Sequence, residues 1–315
     1  SVFGVQQDIL FPTVYFAQQR VNRMNFNLKE NSLEIAKKEV ERKVMSSYYS
    51  AQVAQEKQQI YKRLDSLFSD FSRMAQRRFE LGETNYLEKI TAISKQKKMH
   101  LKYSQAQQQV ILAYTELKKA VQTEDSILVP KEFSLKVPLN EVSITNSPEM
   151  AFYRNTIDKL KAEKGLEQQR FLPDISLMYF QGSNAQLNEN LYGYQVGLRI
   201  PIWFGGQAQR VKSAKIAQNA AEDQAQNINL ELNTQRESLY IQLQQLEAAL
   251  KYYEAEGAEL SEELYKTATL SFKNGEIDFY QYVLSLESAY EITVDYLDQL
   301  QRYNETVLSL NYLTF

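Results

Sequence analysis

Tyr194-Gln-Val-Gly-Leu-Arg-Ile-Pro-Ile-Trp-Phe-Gly205 is the stretch that decides how this chain is read. With the period-two geometry of a strand, Tyr192, Tyr194, Val196, Leu198 and Ile200 share one face. Gly193, Gln195, Gly197 and Arg199 share the other. The alternation stops at Pro201, and a long helical pattern follows. The same design stands near the start as Val5-Gln-Gln-Asp-Ile-Leu-Phe-Pro-Thr-Val-Tyr-Phe16. There Phe3, Val5, Ile9 and Phe11 lie opposite Gly4, Gln6 and Asp8, and the strand again ends at a proline, Pro12. Each strand leads into an outgoing helix, a glycine tip (Gly82, Gly275) and a returning helix. A repeat this long is not a solenoid period; it describes two similar strand-plus-hairpin passes.

The hairpins read as continuous helix. All six prolines lie outside 13–129 and 202–315, and both spans are rich in Ala, Gln, Glu, Lys and Leu, which are good helix formers. The second outgoing seam runs Ala214, Ala217, Ala221, Ala225, Ile228, Leu232, then Leu239, Leu243, Leu246, Leu250, Tyr253. Its return runs Leu286, Ala289, Thr293, Tyr296, Leu300, Tyr303, Val307, Leu310. Steps of three and four mark a helix face packed on another helix. The first hairpin repeats this less cleanly, with Leu33, Ala36, Val40, Ser47, Ala51 and Ala54 going out. Ile93, Tyr103, Val110, Tyr114 and Leu117 come back. Helices of about 65 residues span about 100 Å, more than a globular core requires. At the tips, glycine suits the residue just past a helix end, and Thr84 and Asp278 are placed to cap the helices that follow.

The expected order is a strand over 1–11, long helices over 13–80 and 84–121, and a linker over 122–147. A helix over 148–170, strands over 173–182 and 191–201, and long helices over 206–273 and 277–313 complete it. Ser147-Pro148-Glu149 reads as a helix start with proline at its first position. The fold class is mainly α with a small β part, in two internal repeats. Before its proline the second repeat carries a helix and a strand that the first lacks. Roughly 50 residues of the first repeat are therefore expected to lie ahead of this piece.

Composition narrows the chemistry. The chain has 315 residues, no cysteine, one histidine (His100) and a net charge of −3. Disulfides, thiolate catalysis, zinc–thiolate sites and histidine metal clusters are excluded, and nothing basic suggests nucleic acid. No catalytic, cofactor or metal site is expected; Glu262-Glu263 read as a solvated helix run and His100 as a surface residue. Six scattered methionines read as gap-fillers in helix packing. No run matches a membrane-spanning helix, whereas a β-barrel needs only alternation over about ten residues. An apolar and aromatic face backed by a small and polar one suits a barrel with lipid outside and water inside. The same alternation also fits a sheet on a soluble core. Two hairpins cannot close a wide barrel, so a pore requires several chains. The competing reading is a soluble helical coiled-coil scaffold rod.

At these residues the chain resembles the outer membrane efflux protein family, the TolC-like exit ducts. Phe171-Leu-Pro-Asp-Ile-Ser-Leu177, Tyr194 to Gly206, Val211-Lys-Ser-Ala-Lys-Ile-Ala217 and the tip Ser271-Phe-Lys-Asn-Gly-Glu276 carry the resemblance in order. Phe11-Pro-Thr-Val-Tyr15 and Arg78-Phe-Glu-Leu-Gly-Glu-Thr84 are similar to the heavy-metal branch, of CusC or CzcC type. In some Bacteroidetes-type sequences of that branch, such a domain is fused behind a metal-exporting inner-membrane pump. The resemblance implies a homotrimer in which three chains give four strands each to one outer-membrane barrel, with the helices forming an α-barrel across the periplasm. It implies outer-membrane lipid around the strand face Tyr192, Tyr194, Val196, Leu198 and Ile200. It implies a periplasmic adaptor docking at Arg78, Leu81, Gly82, Glu83, Gly275 and Glu276, and an inner-membrane RND-type pump behind it. Metal ions or small toxic compounds would pass unaltered, with no cofactor. The second tip departs from the family pattern, reading Lys-Asn-Gly rather than Arg-Leu-Gly. An aspartate pair that constricts TolC-type ducts falls here on Gln281 and Leu284, so that gate does not carry over.

Overall fold

A computed structural model describes residues 2–130, 136–140, 144, 147–184, 189–200 and 204–313. Pro201, Ile202 and Trp203 of the second strand end lie outside the described residues. The elements run β1 (Val2–Ile9), α1 (Pro12–Glu80), α2 (Tyr86–Val121), α3 (Pro148–Gln169), β2 (Asp174–Asn184), β3 (Glu189–Arg199) and α4 (Gly205–Tyr252). A π-helical turn (Tyr253–Gly257), α5 (Ala258–Lys273) and α6 (Phe279–Tyr312) follow. The fold is mainly helical, built from long helical hairpins with a small antiparallel sheet.

The chain forms two compact units, Ser1–Ala36 with Ser143–Asn233 and Lys37–Val142 with Thr234–Phe315. Repeats and compact units are different divisions: each unit takes a piece of both repeats. Within the first, Pro12 opens α1, where its missing N–H costs nothing because the first helical donors have no partner inside the helix. Ser147 caps α3 by accepting from the Met150 N–H, with Pro148 behind it. Val14 and Val21 of α1 bury against Ala162 and Leu166 of α3. Polar side chains finish the seam. The Thr13 hydroxyl donates to Gln169 at 2.7 Å, Asn155 donates to Asn31 at 2.6 Å, and Gln207 of α4 donates to the Glu167 carbonyl at 2.6 Å.

In the second unit α6 is the most deeply buried helix, with Leu286, Leu300, Val307 and Leu308 almost wholly covered. Between α2 and α3 the chain is strapped to α6 by side-chain amides. Asn304 accepts from the Val137 N–H at 2.9 Å; Asn311 accepts from the Asn140 N–H and donates to the Pro138 carbonyl. These bonds satisfy backbone groups that no regular ladder serves.

Two seams differ from expectation. Leu33, Ala36 and Val40 are exposed, and the first outgoing seam is buried only from Ala51 and Ala54 onward, through Leu64, Phe68, Phe71 and Ala75. On α2 the expected Leu117 is buried, together with a line of Ala92, Met99, Ala106, Ala113 and Ala120. Small residues at every seventh position let a neighbouring helix approach closely. The helix expected over 206–273 is broken by the π-turn.

Candidate functional sites at the sheet and the tips

The sheet has the order β1-β2-β3, antiparallel throughout. Register places Val5 beside Tyr179 and Tyr179 beside Tyr194; Leu177 stands beside Val196, and Ile9 and Leu198 flank Ile175. One face therefore gathers Phe3, Val5 and Ile9 of β1, Ile175, Leu177 and Tyr179 of β2, and Tyr192, Tyr194, Val196 and Leu198 of β3. The four β3 residues and Ile200 just beyond are 60–79% exposed. Nothing in the described residues covers them.

The opposite face is built for close packing and water. Phe180 lies over Gly193, where a Cβ would collide with its ring, and the Ser176 hydroxyl occupies the space a Cβ on Gly197 would need. The two glycines are thus required by their cross-strand neighbours. Arg199 of β3 reaches across β2 to Asp8 of β1 at 3.2 Å, and Gln6 also donates to Asp8. Among the described residues β1 and β3 each have one unpaired edge.

The two tips are near copies. At Phe79-Glu-Leu-Gly82-Glu83, the Glu83 N–H donates to the Arg78 carbonyl and the Gly82 N–H to that of Phe79. At Phe272-Lys-Asn-Gly275-Glu276, the Glu276 and Gly275 N–H groups donate to Ser271 and Phe272 in the same way. Both are Schellman closures, which need a left-handed residue after the helix. Gly82 has φ +75° and Gly275 φ +73°.

Past the second tip, Asp278 caps α6 in a full capping box with Gln281. Past the first tip the cap is Asn85, not Thr84: the Asn85 side chain accepts from the Glu88 N–H at 2.9 Å. Thr84 instead donates its hydroxyl to the Glu88 carboxylate. The spacing Asn85-x-x-Glu88 was a legible cap signature. Arg78 also meets Glu88, at 3.0 Å, so its guanidinium braces α1 against α2. Leu81, Gly82 and Glu83 are exposed, as are Gly275 and Glu276. Glu276 accepts from the Asn274 amide.

Beside the tips an aromatic cluster joins the two hairpins. Phe272 stacks on Tyr282 with ring centres 4.5 Å apart, and Phe71 sits edge-on to Tyr282 at 4.9 Å and to Phe272 and Phe279 at 6.1 Å. A groove of about 1040 Å³ runs past this cluster, lined by Arg78, Glu88 and Asp278 among others. Farther along, Lys95 pairs with Glu287 at 2.6 Å and Lys57 with Asp298. Burial raises the phenol pKa of Tyr282 and Tyr290, and of Tyr61 and Tyr296, where nearby carboxylates add to the effect. His100 lies on the surface and faces Asp65 at 3.3 Å. Among the described residues no His, Asp or Glu group converges as a metal site, and no helix is long and apolar enough to cross a membrane.

The outer membrane efflux protein family matches residues 140–306, more than half of the chain. The chain belongs to that family. It is a family of efflux channels, and the chain is accordingly not an enzyme. Solved structures with the same fold include the Campylobacter jejuni CmeC outer membrane channel, at 18% identity and TM-score 0.78, covering 98% of this chain and 69% of CmeC. CusC is similar at 15% identity and TM-score 0.83, covering 99% of this chain and 77% of its own. VceC from Vibrio cholerae is similar at 14% identity and TM-score 0.81, covering 98% and 77% respectively. No curated protein sequence matches the chain significantly. At such identities the structural likenesses bear on the fold, and the family match carries the assignment.

Proposed function

We propose that this efflux protein is one protomer of a three-fold exit duct in the bacterial outer membrane, with its helices extending into the periplasm. The observation that carries the reading is the sheet. Its apolar face lies bare along β3, its other face is mostly small and polar, and both outer edges are unpaired among the described residues. An open edge beside bare apolar side chains invites strand pairing with another chain. Lipid on the apolar face and water on the polar one satisfy both faces at once. Three strands cannot enclose a pore, so copies must share the barrel. Further bare apolar residues on the helices, Phe16, Phe26, Leu33, Val40 and Leu230, supply surface for neighbouring copies. The soluble-rod reading has no use for such a sheet.

In this reading Arg78, Leu81, Gly82, Glu83, Gly275 and Glu276 form the docking end for a periplasmic adaptor, which links the duct to an inner-membrane RND-type pump. Leu81 and the two glutamates offer exposed contacts there; Arg78 acts by holding the tip in shape through Glu88. The cargo is metal ions or small toxic compounds. The heavy-metal branch rests on the motifs around Pro12 and Arg78 alone, since the fold is common to all three structures above.

Because the chain has no cysteine, single-cysteine spin labels test the facing cleanly. In lipid, a label on Val196→Cys is expected to be relaxed by oxygen, which partitions into the bilayer. A label on Gln195→Cys should respond to a water-soluble nickel chelate. Equal access of the chelate to both positions would overturn the barrel.

A further inference from the structure

The π-turn is the one irregularity in hairpins otherwise made of continuous α-helix, and it builds a pocket. Its extra residue swings Tyr253 out of the α-helical line toward α6, a displacement of the kind that recurs at functional sites. Gly257 closes the turn: a Cβ there would meet the Tyr253 ring at 3.1 Å and Ile292 at 3.3 Å. The result is a cavity of about 250 Å³ walled by Tyr253, Glu254, Ala258, Ile292, Thr293 and Tyr296. Its floor is apolar, from Ala258 and Ile292. Two of its walls are tyrosines, Tyr253 and Tyr296, packed edge to face with centres 6.1 Å apart at 64°. The Thr293 hydroxyl at the rim already meets Ser261 at 3.3 Å.

One wall carries a carboxylate: Glu254 lines the cavity, and Lys136, which is not among the lining residues, reaches it at 3.6 Å. Aromatic faces with a carboxylate beside them favour a cation whose charge is spread over methyl or ring carbon, because the ring quadrupole attracts it with little loss of hydration. At about 250 Å³ the cavity is smaller than most ligand pockets and suits no more than a single ring with a small cationic head. We infer that the Tyr253–Tyr296 pocket binds a small aromatic or alkyl ammonium cation. The inference stands apart from the duct reading, since it rests on the helices near the π-turn and not on the sheet.

Titration of benzyltrimethylammonium into the full-length protein in a non-ionic detergent, followed by calorimetry, tests it. Saturable binding at one site per chain is expected, with the neutral analogue carrying carbon for nitrogen weaker by about threefold or more. Tyr296→Leu, which keeps bulk but removes the ring, and Glu254→Gln should each weaken the cation by about the same factor. Ile292→Phe, which fills the cavity and keeps both tyrosines, should abolish binding and so supplies the answer where Tyr296→Leu fails to fold. Equal binding of the neutral analogue, unchanged affinity in Ile292→Phe, or no saturation would overturn the proposal.

Discussion

Gly82 and Gly275 set the ends of the two hairpins, and the reason is backbone alone. No atom stands within 4 Å of where a Cβ would be built at either position, yet both hold φ near +75°. An L side chain in that region costs about 1–2 kcal/mol. Gly82→Ala and Gly275→Ala are therefore each expected to destabilise their hairpin by about that much in urea unfolding, with asparagine tolerated better than alanine. Both glycines were legible in the sequence because the tip repeats, Phe-x-x-Gly-Glu, in both hairpins. The cap after the first tip was less legible. Thr84 and Asn85 are both good capping residues, and the choice fell to Asn85 because Glu88, three residues on, already engages Thr84 and Arg78.

At the scale of elements, the helices were visible from their lack of proline and their three-and-four spacing, while their buried faces were visible only in part. On α2 the eye is drawn to Ile93, Tyr103, Val110 and Tyr114, which are half-buried. Leu117 of that seam is buried, but the rest of the buried line is alanine with one methionine at every seventh residue, and alanine carries too weak a hydrophobic signal to mark a seam. Leu33 and Val40 misled in the opposite sense: they keep the three-and-four spacing of a buried seam and yet are exposed. The π-turn was not legible, because Gly257 in a glutamate-rich run reads as an ordinary weak spot in a helix.

The junction of the hairpins rests on the aromatic cluster. Phe71, 4% exposed, touches Phe68, Phe272, Phe279 and Tyr282, so Phe71→Ala is expected to cost about 3–5 kcal/mol in calorimetric or denaturant unfolding. The tyrosines here also set an alkaline limit. Tyr61, Tyr282, Tyr290 and Tyr296 have folded-state pKa values raised above 10.0. A raised pKa means the folded chain prefers the protonated phenol. The stabilisation is complete below pH 10 and falls as pH rises through the folded values. Phenolate absorbance should accordingly show a late-ionising group of tyrosines whose titration coincides with loss of helical circular dichroism.

At the scale of the whole molecule, the strand alternation separated two faces but left open whether lipid or a protein core covers the apolar one, because both produce the same pattern. The three-stranded register answers part of this: the apolar face runs across all three strands, interrupted by Gln7 and Gln181, is most exposed along β3, and is bounded by open edges among the described residues. Membership of the efflux family favours lipid there, which is the reading proposed above. The central claim is that copies of the chain complete the barrel between them. Light scattering of the full-length protein in detergent, with the detergent contribution subtracted, measures this directly. Three chains per particle, in an assembly that requires detergent, is the predicted result; a monomer or dimer that stays in solution without detergent would contradict it.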